Sequence, residues 1–456
     1  MVNSELLERA QQLGANLDRK RAKRIFVTGV AQITPFGDTE QTHHGVLDPN
    51  GSAVVSFPEA QNAYVNIAAP VKFNPRDYFD RRELRGVSTV AAMAGAGAKK
   101  AATMAKLIDE NGQLNPDARR QEIGSWVGTG VAATQRFINV YHQLHGEDGQ
   151  GDPTTNSKGA SLIKALEIFP EQVNAFVTRV LGISNWGGST VEACATGLSN
   201  IIEAAETIKR GDNKAAIAGG FEEPFDDYPE VAVAMFSQRG VVLSTRNDEP
   251  EKASRPFDKD RDGFVEGAGG GVVILDEEEH ADRRGAPKLA EVLAFRKSMD
   301  GGISATGLDV DNVARTILET LWNEERKEFI RVDAIFAHAT STVEGDLAEA
   351  AVLRRVFGDK LKDIPITAIK SHMGHLLGGA GAVNFIAAVF ALNDGKVPPI
   401  ANLENPDPEF SNLFLVRGEP LERPIKTALV LAYGFGAYNA VAVLGKVGED
   451  YYSEVA

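Results

Sequence analysis

The chain carries a single cysteine, Cys194, in the stretch VEACATGLSN. A lone thiol cannot form an internal disulfide or a multi-thiolate zinc site, so it is either an inert buried residue or a reactive nucleophile. The small residues beside it precede an apolar helical pattern, which places the thiol at or just before a helix N-terminus. Peptide dipoles and unpaired N–H groups favour negative charge there, so we expect the thiol pKa to be lowered.

Three of the eight histidines stand where apolar runs end. His338 follows VDAIFA and precedes ATST, while His372 and His375 lie in KSHMGHLLGGAGA. Strand ends that lead into loops are where α/β sheets assemble their sites, so these imidazoles are candidates for chemistry. A histidine whose hydrogen bonds are satisfied within the core is the alternative. The remaining histidines, in polar or charged stretches, are His43, His44, His142, His145 and His280.

Two patterns suggest metal sites only superficially. DKDRDG opens like a calcium loop at Asp258, but the twelfth position is Gly269, where calcium needs a bidentate glutamate. The H-x-x-H spacing of His372 and His375 falls in a glycine-rich turn without a nearby carboxylate to complete a zinc site. We therefore predict no metal.

The elements that position these residues alternate between short β-rich runs and helices, which is typical of an α/β fold. ACATGLSNIIEAAETIKRGD and SHMGHLLGGAGAVNFIAAVFALNDGK are alike: each follows a strand, opens with a small-residue turn and stops at Gly-Asp or Asp-Gly. This predicts two related halves packed face to face. We assign residues 1–24 to an extension, 25–280 to a half with the cysteine, and 281–456 to a half with the histidines.

The composition is that of an ordinary globular protein, with 43% hydrophobic and 24% charged residues. The net charge of −15 argues against nucleic acid as a partner. No run of about 18 consecutive apolar residues is present to span a bilayer, and the first residues lack the apolar centre of a secretory signal. We expect a cytoplasmic protein without a membrane span.

Several motifs in order give the chain a family resemblance. VEACATG, STRNDEPEKASRPFDKDRDGFVEG, AHATSTVEGDLAEA, KSHMGHLLGGAGAV, PPIANLENPDPE and GFGAYN resemble the elongating β-ketoacyl-acyl-carrier-protein synthases, over about residues 25–445. The resemblance implies a thiolase-like fold, layered α-β-α-β-α, in a homodimer. It also implies decarboxylating Claisen condensation of an acyl thioester with malonyl-acyl carrier protein to give a 3-oxoacyl product.

Catalytic roles follow from the resemblance at matching positions. Cys194 would attack the acyl thioester and hold the chain covalently. His338 and His375, both neutral, would donate hydrogen bonds to the malonyl thioester oxygen as negative charge develops. Backbone N–H groups of Cys194 and Phe435 would form the oxyanion hole, and the Phe435 ring would gate entry of the acyl chain.

The resemblance also implies supporting and binding residues. Lys370 and Glu349 would form a charge pair that orients the histidines. Thr340 and Thr342 would hydrogen-bond the pantetheine arm, and Phe236 would contact the substrate. No cofactor is expected beyond the phosphopantetheine that carries the substrates.

Docking of an acyl carrier protein would need a basic patch, because carrier proteins are usually acidic and this chain is too. The segment RDYFDRRELR supplies Arg82 and Arg85, and Arg239 is a further candidate. A solvated charged helix is the alternative interpretation of this segment.

Related enzymes differ at defined positions. Thiolases use a second cysteine, which this chain lacks, and initiating synthases have an asparagine where this chain has His375. Ala268 and Ala437 replace an acid and a glycine that are frequent in the family. A Cys-His acyltransferase or hydrolase and a non-catalytic partner subunit remain alternatives, and neither chain length nor the choice between fatty-acid and polyketide synthesis follows from the sequence.

Overall fold

The structure, a computed structural model, describes residues 23–60, 64–131, 134–146, 166–237, 242–302 and 306–452. Nearly all of the predicted extension, residues 1–24, lies outside these ranges. So does Arg239. The division of the chain near residue 280 stays a prediction, and the helix Glu278–Arg284 spans that point.

The strands of the described residues are numbered in chain order: β1 Ile25–Ile33, β2 Val55–Ser56, β3 Ile67–Ala68, β4 Ile123–Gly128, β5 Ala215–Glu222, β6 Gly269–Glu277, β7 Ala290–Met299, β8 Trp322–Asn323, β9 Glu328–Phe329, β10 Ala334–Phe336, β11 Pro365–Thr367, β12 Lys396–Val397, β13 Phe414–Leu415, β14 Leu421–Glu422, β15 Thr427–Gly434 and β16 Tyr438–Gly445. The α-helices span Thr39–Leu47, Thr89–Met104, Thr134–His145, Gln172–Leu181, Thr196–Arg210, Pro229–Phe236, Glu278–Arg284, Val310–Leu321, Val343–Phe357, Lys370–Met373 and Ala380–Asp394.

Ten strands join in one mixed sheet with the order β13-β11-β10-β15-β16-β7-β1-β6-β5-β4. A short antiparallel contact between β1 and β7 connects the strands of the two halves. In the first half β6 pairs antiparallel with β5, which pairs parallel with β4. In the second half β16, β15 and β10 repeat this sequence of pairings, as a duplicated unit would.

Alternation along the strands separates the core into layers. In β6, Val272 and Ile274 pack with the outer helices Thr89–Met104 and Gln172–Leu181, whereas Val273 packs with central helices. Because side chains of a strand alternate between its faces, each half-sheet is covered on both sides. The strands of the second half are likewise enclosed by the central helices and by outer helices, so the predicted α-β-α-β-α core is confirmed.

The two central helices are the predicted counterparts, Thr196–Arg210 and Ala380–Asp394. A 3₁₀ turn precedes each of them, and each ends at a glycine in the left-handed conformation. The segment Leu377–Asp394 is long and apolar enough to cross a membrane, but 83% of it is buried inside the fold. It therefore serves as a core helix.

Glycines let the starts of these helices touch. A Cβ on Gly381 would lie 2.9 Å from both the Cβ and the backbone nitrogen of Leu198, and one on Gly197 would lie 2.9 Å from the backbone nitrogen of Ala382. Such distances are too short for a side chain, so only glycine permits the contact. It brings the turn that carries Cys194 against the turn that follows His375.

Gly381→Ala should therefore destabilise the protein. Overpacking in a filled core typically costs about 1–3 kcal/mol of unfolding free energy, since the neighbouring backbone must move. Gly301→Ala is the matched control, because nothing lies within 4 Å of a Cβ placed there. Denaturant titration of both variants tests the contact, and equal losses of stability would contradict it.

Candidate active site

Cys194 lies in the 3₁₀ turn Ala193–Ala195, directly before the helix Thr196–Arg210. The predicted location at a helix start is thus confirmed. Ala193 adopts a left-handed φ of 47°, and the N–H of Glu192 donates to the Thr196 hydroxyl at 2.9 Å. These local contacts hold the thiol at the head of the helix, where it is 8% exposed.

The predicted lowering of the thiol pKa is wrong. Burial raises the pKa of Cys194 to about 12, because the thiolate loses hydration. The positive charge of Lys370 and the N–H groups of Cys194 and Phe435 oppose this rise but do not overcome it. Both N–H groups that we expected to form the oxyanion hole therefore act on the sulfur.

Phe435 reaches the thiol because a glycine precedes it. A Cβ on Gly434 would lie 2.3 Å from the carbonyl oxygen of Glu192, so the turn between β15 and β16 packs against the turn that carries Cys194 through backbone atoms. The Phe435 side chain itself is 38% exposed. This agrees with a ring that can move while its N–H stays in place.

His338 follows β10 and is fixed through its backbone and its ring. Its N–H donates to Glu349 Oε1 at 2.8 Å, and its carbonyl oxygen accepts from Lys370 Nζ. Its ring Nδ1 faces the N–H of Tyr433 at 3.2 Å and so accepts a hydrogen bond. A neutral ring with Nδ1 as acceptor carries its proton on Nε2.

The expected charge pair needs a correction. The ion pairs between described residues do not include one between Lys370 and Glu349, so these two side chains form no direct salt bridge. Glu349 also accepts from the N–H of Ala339 at 2.7 Å. The two charged groups therefore hold the backbone around His338 from different sides, since its peptide offers both a donor and an acceptor.

The backbone of His375 forms an isolated β-bridge with the segment that follows Gly263. Its N–H donates to the carbonyl oxygen of Val265 at 2.7 Å, and its own carbonyl oxygen accepts from Gly267 at 3.0 Å. The ring packs edge-on against Phe264 and His338, with centroids 5.3 and 5.5 Å away. Its Nδ1 has no hydrogen-bond partner among the described residues.

His372 serves the structure instead. Its two ring nitrogens lie 2.9 Å from the carbonyl oxygens of Gly51 and Pro399. It is the satisfied core histidine that the sequence left as an alternative. Asp258, from the stretch that resembles a calcium loop, is also structural, because it accepts from Arg255 Nε at 3.1 Å.

Burial sets the charges of the site. Desolvation and the charge of Lys370 hold the pKa values of His338 and His375 well below their usual range, so both rings are neutral near pH 7. Desolvation also lowers the pKa of Lys370 and raises that of Glu349. The expectation of two neutral imidazoles agrees with these directions.

A cavity of about 410 Å³ collects most of the predicted residues. It is lined by Cys194, Phe236, His338, Thr340, Thr342, Glu349, His375 and Phe435. Thr342 also caps the helix Val343–Phe357 by accepting from Gly345 at 3.2 Å. The sequence did not single out Phe264 or Asp300, which share the cavity with Tyr433. Phe264 lies in DGFVEG, at the end of one of the motifs that carry the family resemblance. Its place in that motif was the one sequence signal that could have identified it.

The arginine-rich segment RDYFDRRELR does not line this cavity. Arg82 and Arg85 are exposed, in a run of turns and not in the charged helix that was the alternative. Lys99 stacks over the Phe79 ring at 4.4 Å, and Lys100 lies 5.8 Å from the Tyr78 ring, so both lysines adjoin this segment.

The chain matches two family models, the β-ketoacyl synthase N-terminal domain over residues 22–281 and the C-terminal domain over residues 289–404. The chain belongs to the β-ketoacyl synthase family. It is 32% identical to 3-oxoacyl-[acyl-carrier-protein] synthase 2 of Staphylococcus aureus, covering 93% of this chain and 98% of that one. The corresponding synthase of Synechocystis is 34% identical, covering 95% and 99%.

Solved structures agree with this assignment to the β-ketoacyl synthases. A β-ketoacyl synthase from Burkholderia phymatum has a TM-score of 0.82 at 26% identity, covering 93% of this chain and 100% of that one. A type II polyketide ketosynthase in complex with its acyl-carrier protein, bound to the hexaketide, has a TM-score of 0.80 at 25% identity, covering 94% and 100%. The protein is a condensing enzyme of fatty-acid or polyketide chain elongation.

Thiol titration tests the electrostatics of this β-ketoacyl synthase, because no other thiol competes. With a pKa of about 12, alkylation of Cys194 by iodoacetamide should be slow at pH 7. It should rise about tenfold per pH unit up to pH 9, because only the thiolate reacts. At pH 7, where Lys370 is charged, Lys370→Met should slow it further by removing a positive charge, whereas the exposed control Lys360→Met should not. An inflection below pH 8 would contradict the raised pKa.

Proposed function

We propose that this β-ketoacyl synthase works by a ping-pong mechanism in which Cys194 carries the acyl chain and His338 and His375 activate the malonyl thioester. The observation that supports this division is the state of His338. Its Nδ1 accepts from Tyr433, which leaves Nε2–H as a donor in the cavity that also holds the thiol. A neutral imidazole fixed in this way donates a hydrogen bond and is a poor base.

In the first half-reaction the sulfur of Cys194 bonds to the acyl carbonyl carbon, and the incoming thioester bond breaks. The thiol proton leaves with the released pantetheine thiol. Negative charge on the tetrahedral oxygen is met by the N–H groups of Cys194 and Phe435, which are already oriented toward the sulfur. Preorganised donors of this kind need no rearrangement when the charge appears.

In the second half-reaction the bond between the malonyl methylene carbon and its carboxylate breaks, and carbon dioxide leaves. The electron pair forms an enolate whose oxygen accepts from His338 and His375. The enolate carbon then attacks the acyl carbonyl carbon. Cys194 departs as a thiolate and takes up a proton from the solvent, which restores the resting thiol favoured by its raised pKa.

The carrier of both substrates in this proposal is an acyl carrier protein. The ketosynthase of similar fold that was solved with its acyl-carrier protein supports this partner. Thr340 and Thr342, whose hydroxyl groups are 3.1 Å apart in the cavity, would bind the pantetheine arm, and Phe236 would contact the substrate. Arg82 and Arg85 would receive the acidic carrier surface. We also propose a cytoplasmic homodimer without a further cofactor.

Separable half-reactions are the test of the mechanism. Cys194→Gln removes the nucleophile but places an amide carbonyl where the acyl carbonyl would lie, so it should release carbon dioxide from malonyl carrier without forming a 3-oxoacyl product. His338→Ala and His375→Ala should keep acylation of Cys194 and lose decarboxylation by about 100-fold or more, as oxyanion donors usually contribute. Intact-mass spectrometry and a carbon dioxide assay measure the two steps.

A Cys-His hydrolase or acyltransferase would behave differently in this test. Loss of its single basic histidine should abolish acylation, and the wild-type protein would release free acid. Loss of Cys194 acylation in both histidine variants would therefore contradict the condensing mechanism. A protein that is never acylated would be the non-catalytic subunit instead.

Charge reversal tests the docking surface separately. The double variant Arg82→Glu and Arg85→Glu should reduce turnover with carrier-bound acyl chains and weaken its salt dependence, because an acidic partner is repelled. Acylation from a small thioester should stay unchanged. Arg417→Glu, at another exposed arginine of the chain, is the control. Equal loss with both donors would show that the substitutions disturb folding and not docking.

A further inference from the structure

Asn384 is a buried amide in an otherwise apolar stretch of a central helix. It is 2% exposed, and it carries the sole polar side chain between Ala380 and Leu392. Burying an amide costs free energy unless the amide is hydrogen-bonded, so an apolar residue would suit this position better on packing alone. The Asn384 oxygen Oδ1 has no hydrogen-bond partner among the described residues. The amide nitrogen is therefore the part of the side chain that explains an asparagine here.

The amide nitrogen of Asn384 contacts the ends of two neighbouring strands. Nδ2 donates to the carbonyl oxygens of Phe336 and Ala337 at 3.0 and 3.2 Å, and it lies 3.5 Å from the carbonyl oxygen of Leu431. Phe336 is the last residue of β10, and Leu431 belongs to β15. One side chain of the central helix thus holds both strands just before they reach the active site.

These strand ends lead to the two groups that fix the His338 ring. His338 comes directly after Ala337. Tyr433, whose N–H donates to His338 Nδ1 at 3.2 Å, comes two positions after Leu431. The parallel pairing of β10 with β15 ends before Ala337. Pairing between these two strands therefore stops short of His338 and Tyr433, so it does not by itself set the distance between them.

The other contacts of His338 act on its peptide. Glu349 and Lys370 hold its backbone N–H and its carbonyl oxygen, but neither of these contacts involves the ring. The position of the ring proton depends on β15, through the N–H of Tyr433. Since Asn384 donates to the ends of β10 and β15 together, it joins the peptide of His338 to the strand that orients the ring.

From this geometry we infer that Asn384 is a positioning residue for decarboxylation, because it holds the ends of β10 and β15 together so that His338 keeps its proton on Nε2. The inference rests on the proposed function, in which Nε2–H donates to the malonyl thioester oxygen. If the strand ends moved apart, the bond from Tyr433 to Nδ1 would weaken, and the neutral ring would be free to carry its proton on Nδ1. Nε2 would then be an acceptor, which does not stabilise a developing enolate.

Separate rates for the two half-reactions provide the test. Asn384→Leu keeps a similar side-chain volume and removes the donor. It should lower carbon dioxide release from malonyl carrier by about tenfold, the effect of one weakened hydrogen bond. Acylation of Cys194, followed by intact mass, should stay near the wild-type rate because it does not use the His338 donor. Equal losses in both half-reactions would mean a role in folding alone and would overturn the inference.

Asn393→Leu is the matched control, since it changes the same residue type in the same helix. Asn393 Nδ2 donates to the carbonyl oxygens of Leu289 and Val389 at 2.9 and 2.7 Å, and these residues belong to neither β10 nor β15. Both rates of this variant should match the wild type. A loss of carbon dioxide release as large as that of Asn384→Leu would contradict the inference.

Nitrogen NMR of protein with isotope-labelled histidine measures the tautomer directly. The His338 signals are identified as those that His338→Ala removes. In the wild type they should show a protonated Nε2 and an unprotonated Nδ1, and in Asn384→Leu a mixture of both tautomers. A wild-type proton on Nδ1 would overturn the inference even if Asn384→Leu fails to fold. Unchanged carbon dioxide release in His338→Ala would contradict the proposed function instead.

Discussion

The active site depends on close contacts between backbones where no side chain fits. A Cβ on Gly220 would lie 2.5 Å from the carbonyl oxygen of Gly378, and one on Gly378 would lie 2.5 Å from the nitrogen of Gly130. Together with the contacts at Gly197 and Gly381, these positions pack the turns of the two halves directly on each other. Cys194 and the histidines come from opposite halves, so their distance is set by these contacts and not by flexible side chains.

Dense packing also explains the electrostatics. Because these groups are buried, ionisation is costly for each of them, which raises the pKa of Cys194 and holds both imidazoles neutral. Lys370 adds to the second effect and opposes the first, since its charge repels protons from the histidines and favours the thiolate. One buried lysine therefore influences the protonation of both the thiol and the histidines, besides holding the carbonyl of His338.

Patterns of local sequence predicted the elements that carry the site. The apolar spacing after Cys194 and the matching turn after His375 predicted the two central helices, because both signals depend only on neighbours along the chain. The thiol pKa could not be predicted in this way, since desolvation depends on what the rest of the fold packs around the sulfur. The direct ion pair expected between Lys370 and Glu349 was wrong for a related reason: a sequence shows that two charges are near a site but not that each binds the backbone of His338.

The turn between β15 and β16, which carries Phe435, shows how a departure from the family alters the site. Ala437 adopts a left-handed φ of 78°, a conformation that is strained for alanine and free for glycine. Its carbonyl oxygen accepts from the N–H of Asp300 at 2.9 Å, and Asn439 Nδ2 donates to Asp300 Oδ1 at 2.7 Å. These bonds compensate the strain and tie the turn to the loop that follows β7. Any movement of this turn as a whole must therefore either break these bonds or carry the Asp300 loop along, and Asp300 also lines the cavity that holds Cys194.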